Sequence, residues 1–391
     1  MTIADFKEKI DVMFPCRWED DFRQDINATF NKYISIVSDL DDIKPCVLSD
    51  IKTLCDRIIK VLNLYYDGRK SDAFMLFSSI MNGEAEEKGL FSSIGGIIIN
   101  PNELYYRARE RKNGENFSIQ DMFHIPLNKR GLVSTQRYSS LGYPCLYLGN
   151  SVYSCWEELR RLPFDNLMFS AYKVRYAFKV FDMRIPNDSD YYTEKLDQTI
   201  RRLPLVLACS FIVRKSSDVF KPEYVIPQMF VETIICNNRR ITQIQKSPID
   251  LNVIWGVIYT STHVSNDFPY GKPFMENIVL PVIQSNNPSN YCYCLASLFD
   301  ISQPLCYEYE SMKDYAFRML KKGDKKKTDE EKIKEQYEQS KMGYLEEKLK
   351  NAHFGTLNHI VIDCPDEGIV LDSEGTPVSL NIRSNVNYTI S

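Results

Sequence analysis

The spacing of the apolar residues changes once, near position 93. That change limits the chain to a fold with a helical front and a strand-bearing body. In the stretches 4–14, 20–40 and 48–66, apolar residues recur at three- and four-residue steps. Such steps gather side chains on one face of a helix. Asp20 and Ser49 stand where helix caps belong, and a short fourth helix is expected over 71–81. At Gly95-Gly96 the chain turns to Ile97-Ile98-Ile99, and from there β-forming runs mix with helical ones. Residues 104–109 and 145–150 read as strands. Residues 167–184 alternate and read as one long strand or a hairpin. Helices are expected over 192–213 and 222–236, and two buried strands over 255–262 and 276–282. The stretch 321–350 is dense in Lys and Glu, with Thr328 and Glu331 at capping-box spacing. It reads as a solvated helix. Short strands close the chain at 359–363, 368–372 and 377–382. The class that follows is α+β: a helical N-terminal domain over 1–92, an α+β domain over 93–290 and a C-terminal extension over 291–391.

Composition removes several functions. The formal net charge is −4 and is spread out, so no basic face for nucleic acid is expected. No apolar run is long enough to cross a bilayer, and the first residues lack the pattern of a signal peptide. The eleven cysteines form no CxxC pair, which fits buried free thiols in a reducing cytoplasm. The four histidines lack zinc-type spacing, so no metal is expected. No P-loop, GxGxxG, HExxH or GxSxG occurs.

Four segments carry the chemistry. The first is Leu104-Tyr105-Tyr106-Arg107. The second begins at Arg137, passes Ser139, Gly142 and Pro144, and enters Leu146-Tyr147-Leu148-Gly149. The third is Ser154-Cys155-Trp156-Glu157-Glu158, on a short helix opened by Asn150 or Ser151. The last is Gly256-Val257-Ile258-Tyr259-Thr260-Ser261, followed by Asn277-Ile278-Val279-Leu280.

In this order the segments resemble the RES domain family, over residues 104–281. That family runs from a Leu-Tyr-Arg strand to an Arg-led segment ending in Leu-Tyr-Leu-Ala. A helix ending in Thr-Ala-x-Ala-Glu follows, and late in the chain a Gly-Ile-x-Tyr-x-Ser-Ser strand. The chain departs from it at Gly149, where the family has Ala, and at Trp156 and Glu157, where small residues are usual. The resemblance implies an ADP-ribosyltransferase-like fold, a mixed or antiparallel β core with flanking helices. It also implies NAD⁺ as substrate, cleaved at the nicotinamide–ribose bond by hydrolysis or by transfer to phosphate. Members include toxins of toxin–antitoxin pairs, so a toxin or abortive-infection effector is implied. The partners in view are NAD⁺, a regulatory or antitoxin protein and further copies of the chain. A membrane and nucleic acid are not.

The residue types suit that chemistry. Positive charge builds on the ribose as nicotinamide leaves, and a carboxylate beneath the sugar favours that state. Glu158 falls at the family's Glu. Glu157 points about 100° away on a helix, so only one of the two can face a pocket. Arg107 and Arg137 match the family's arginines, whose forks fit the diphosphate oxygens. Tyr147 would hold the nicotinamide or ribose, and Ser139 and Ser261 can donate or accept toward ribose or carboxamide. Each has a plainer reading: Arg107 beside Arg109 as a strand-edge ion pair, Tyr147 as core, Ser261 as a strand end. His124 and His263 read as structural or rim residues, Cys145 and Cys155 as packing residues. The rival functions are ADP-ribosyl transfer to a macromolecule and a non-catalytic scaffold acting as a sensor.

Overall fold

The computed structural model describes residues 1–41, 43–84, 87–111, 117–192, 196–244, 253–262, 275–283, 290–307, 334–335, 337–357, 369–371 and 377–379. Four helices open the chain: α1 (Ile3–Asp11), α2 (Phe22–Ser38), α3 (Pro45–Tyr66) and α4 (Lys70–Asn82). In α2, Phe22, Ile26, Phe30, Tyr33 and Val37 form a buried stripe. It shares one core with Val47, Ile51, Leu54, Ile58 and Val61 of α3.

Two helix starts differ from the sequence reading. The cap of α2 is Asp21, whose carboxylate accepts from Arg23 N at 2.8 Å, and not Asp20. Helix α3 begins at Pro45, about one turn before Ser49. Proline's fixed φ and missing N–H suit the first helical position, so the helix starts there and takes Ser49 into its interior.

The short strands β1 (Gly83–Glu84) and β2 (Glu87–Lys88) and helix α5 (Leu90–Ser93) lead to a ten-stranded sheet. Its strands are β3 (Ile97–Ile99), β4 (Leu104–Glu110), β5 (Cys145–Gly149), β6 (Leu167–Val174), β7 (Phe178–Met183), β8 (Ile254–Thr260), β9 (Glu276–Pro281), β10 (Phe299–Ser302), β11 (Leu305–Cys306) and β12 (Phe354–Thr356). In space they run β12-β10-β6-β4-β5-β9-β8-β7-β3, with β11 also on β6. The pairings are antiparallel except β7 with β8. Those two are joined by a crossover through α8 (Asp188–Tyr191), α9 (Leu196–Cys209) and α10 (Val225–Ile244). A short helix, α6 (Ile119–Met122), follows β4, and β13 (Ile369–Leu371) pairs with β14 (Pro377–Ser379). The chain is α+β, with its helices first and a mixed sheet after them.

Residues 167–183 form neither one strand nor a hairpin. Four strands lie between β6 and β7 in the sheet. In a flat sheet those strands would stand about 24 Å apart, yet the step from Val174 to Phe178 reaches at most about 14 Å. The sheet therefore curls until the two strand ends meet. The ring of Phe299 on β10 contacts Tyr172 of β6 at 5.6 Å and Phe178 of β7 at 5.7 Å. Leu146, Leu148, Phe178, Val180, Ile278 and Leu280 fill the inside of the curl. The alternate residues Cys145, Phe181, Met183 and Val279 join the core shared with α9, α10 and the N-terminal helices. Alternation with apolar side chains on both faces is what a sheet covered on both sides requires.

The C-terminal extension belongs to this architecture. Helix α11 (Tyr293–Leu298) feeds β10, and β12 adds the last strand at that edge. Helix α12 (Lys341–Lys350) is capped by Ser340 and buries Tyr344, Leu345, Glu346 and Leu349. Over these residues the charged stretch is a packed helix, because Leu345 and Leu349 keep an apolar stripe between the lysines and glutamates. Thr328, Glu331, His263 and the expected strand at 359–363 lie outside the described residues.

Candidate active site

Helix α7 (Val152–Glu158) carries the central carboxylate. Ser151 opens it, accepting from Ser154 N at 2.9 Å. Glu158 is its last residue. Beyond Leu159, Arg160 and Arg161 take left-handed φ values of 57° and 56°, which ends the helix. Glu158 Oε1 accepts from Ser261 Oγ and from Asn277 Nδ2, both at 2.7 Å. Asn277 Oδ1 in turn accepts from Ser154 Oγ at 2.8 Å, which fixes the amide with its NH₂ toward Glu158. Glu157 faces elsewhere: it is 2% exposed, bonds the Tyr153 hydroxyl and pairs with Arg161 at 2.9 Å.

Glu158 shares a cleft of about 400 Å³ with Arg107, Arg137 and Tyr147. Arg107 projects from β4 and donates to Tyr147 O at 3.0 Å. Burial lowers its pKa from the ordinary arginine value, and its Nε has no hydrogen-bond partner. A buried donor left unmade costs about 1–3 kcal/mol. Arg137 lies in the loop before β5. It donates to Cys209 O and to Thr262 Oγ1, both at 2.9 Å, and its guanidinium sits over the Tyr224 ring at 5.4 Å. The Tyr147 hydroxyl pairs with Ser139 Oγ at 2.6 Å, and burial raises its pKa well above the usual tyrosine value. Ser139 and Ser261 are not in the described lining. They sit behind it, bonded to Tyr147 and Glu158.

The lining brings four cationic side chains, Arg107, Arg137, Arg160 and Lys221, to one carboxylate, Glu158. In a chain of net charge −4 this is a local excess of positive charge, suited to an anionic ligand with one cationic region. Three residues of the arrangement were not singled out from the sequence: Asn277, Thr262 and Tyr224. Asn277 had a signal, as the amide that precedes the apolar run Ile278–Leu280. Thr262 and Tyr224 had none, since only folding brings them to Arg137.

The remaining candidates among the described residues are structural. Cys145 and Cys155 are buried, and burial pushes both thiols up to about 12, which keeps them protonated and unreactive. His124 is 1% exposed. Its Nδ1 donates to Ile125 O and its Nε2 accepts from Cys292 N, each at 2.8 Å. The glycine at 149 also has a reason. A Cβ there would meet Cys155 Sγ at 2.9 Å, so the sulfur at 155 and the bare backbone at 149 are one steric choice. Among the described residues no cluster of three or more His, Cys, Asp or Glu could hold a metal. No described helix is long and apolar enough to cross a membrane.

The chain is 30% identical over 329 residues to a protein of Bacillus subtilis (strain 168) named "Putative toxin YopC"; the alignment covers 78% of this chain and 71% of that one. The aligned stretch is longer than the segment 93–290, so it reaches into the helical front, the C-terminal extension or both. No family model matches the chain, and no solved structure matches it.

Proposed function

The chain belongs to the family of that Bacillus subtilis protein, and on that premise we propose that it is a toxin of the RES type that cleaves the nicotinamide–ribose bond of NAD⁺. One observation carries the reading: Glu158, buttressed by Ser261 and Asn277, opens onto the same cleft as Arg107, Arg137 and Tyr147. Apart from Asn277, these are residues that the RES resemblance selects, and they come from four separate parts of the chain. The named relative supports the toxin half of the reading.

In this reading the diphosphate lies against the guanidinium groups of Arg107 and Arg137, and Tyr147 takes the nicotinamide end. The C1′–N bond of the nicotinamide riboside breaks, and its electron pair leaves with the nicotinamide nitrogen. Glu158 stabilises the positive charge on the ribosyl carbon. Two neutral donors on Oε1 hold the carboxylate in place before the charge develops, so little reorganisation is needed at that moment. Water then adds its oxygen to C1′ and loses a proton to solvent, giving ADP-ribose. With inorganic phosphate as the acceptor, the product is ADP-ribose phosphorylated at that carbon.

The test is to incubate the full chain with NAD⁺, with and without phosphate, and to identify products by mass. Release of nicotinamide is expected, and Glu158→Ala should lower turnover by at least ~10² while the protein stays folded. Unchanged cleavage by that variant would overturn the assignment of Glu158. Absence of free nicotinamide with the wild type would overturn the activity, and ADP-ribose found by mass on a macromolecule would redirect it to ADP-ribosyl transfer.

A further inference from the structure

Glu346 stands on α12, outside the segment that builds the cleft, yet its side chain is buried against the helix that presents Glu158. Its Oε1 accepts from Val152 N at 2.8 Å and from the Tyr337 hydroxyl. Tyr153 N donates to that same hydroxyl oxygen at 3.4 Å. Ser151 Oγ accepts from Ser154 N. The N–H groups that open a helix have no acceptor within it. In α7 the three at Val152, Tyr153 and Ser154 are met by side chains, and two of those acceptors come from the C-terminal extension. Apolar contacts complete the seat: Leu345 and Leu349 share one buried cluster with Val152 and Cys155, and Met342 and Trp156 both pack against it.

Helix α7 has seven residues, too few to be stable alone. The position of its last residue therefore depends on what grips its first. At the far end Ser261 and Asn277 hold Glu158. At the near end the grip is Ser151 with Tyr337 and Glu346.

We propose that Glu346 is a positioning residue for Glu158: with Tyr337 it sets where α7 lies, and so where the carboxylate stands in the cleft. The C-terminal extension is then part of the working site. This inference rests on the reading of the cleft as an NAD⁺ site, and it deepens that reading.

The test uses the full chain with Glu346→Ala, Glu346→Gln, Glu346→Met and Tyr337→Phe. Two quantities are read: kcat and KM for nicotinamide release from NAD⁺, and amide hydrogen exchange over residues 152–158. Glu346→Ala is expected to lower kcat at least ~10-fold through misplacement of the carboxylate. KM should change by less than ~3-fold, since the diphosphate contacts are untouched. Exchange at 152–158 should quicken. Glu346→Gln retains an oxygen for Val152 N and should restore most of kcat, whereas Glu346→Met, which keeps the bulk without an acceptor, should not. Wild-type kcat and unchanged exchange in Glu346→Ala would overturn the inference. If the wild type itself releases no nicotinamide, the NAD⁺ reading falls. The exchange data then decide alone: faster exchange upholds the grip on α7, and unchanged exchange ends it. Should Glu346→Ala not fold, Tyr337→Phe keeps the ring and removes the bridging hydroxyl. It should then show the same kcat loss in weaker form, and wild-type behaviour there would count against the proposal.

Discussion

Asn277 Nδ2 lies 2.7 Å from Glu158 Oε1 although 119 positions separate the two residues in the chain. The amide cannot flip without losing the bond from Ser154 Oγ to its own oxygen, so its donor is committed to Glu158. Asn277→Asp replaces that donor with a second carboxylate. Two carboxylates at this distance cannot both ionise readily, so one proton is retained to higher pH. The acid limb of the pH–rate profile for nicotinamide release should move to higher pH, with activity at neutral pH reduced at least ~10-fold. A profile that keeps its wild-type acid limb would count against the pairing.

Arg137 binds through a fork, with one nitrogen on Cys209 O and another on Thr262 Oγ1. Lysine offers a single point charge and cannot hold both acceptors while facing the cleft. Arg137→Lys should raise KM for NAD⁺ ~10-fold or more with little change in kcat, the pattern of lost uniform binding. Steady-state kinetics of the purified variant checks it, and a loss confined to kcat would assign Arg137 a different role.

Gly149 and Cys155 share one space. A methyl at 149 pushes against a buried sulfur, and overpacking of this kind costs about 1–3 kcal/mol. Gly149→Ala should lower the denaturant midpoint, and adding Cys155→Ala should recover part of the loss, since Ser151 O and Ser154 Cβ remain 3.2 Å from the new methyl. The two changes are thus expected to be non-additive. Additive losses in a double-mutant cycle would show that the methyl is accommodated elsewhere.

His124 gives the fold a pH dependence. Burial lowers its pKa from 6.5 to about 4. The folded state therefore favours the neutral ring, whose two nitrogens bond Ile125 O and Cys292 N. The associated stability is fully present above 6.5 and is lost as pH falls from there through about 4. The size is about 3 kcal/mol, from the shift of roughly two and a half units. Urea midpoints across that range should fall more steeply for the wild type than for His124→Gln, and parallel curves would assign the acid sensitivity to other groups.

The helical front, the strands around Arg107, Tyr147 and Ser261, and the fact that Glu157 and Glu158 face different ways were legible in the residues. Each depends on local period or on order along the chain, which a sequence carries directly. Partners across the chain were not legible: Asn277 lay within the last segment, but nothing in the residues said what it would meet. Pro45 as the start of α3 was available too, since the reason is local, whereas the packed face of α12 was hidden by the density of its charges.

What the residues determined by themselves was which side chains bear charge, which faces are apolar and where helices give way to strands. Tertiary structure decided what those groups do to one another. The curl that brings β6 to β7, the cage of Ser261 and Asn277 around Glu158, and the reach of Glu346 to Val152 N all join residues far apart in the chain. Hydrogen bonds and packing act over a few ångströms in space, and only the folded path of the backbone makes distant positions neighbours.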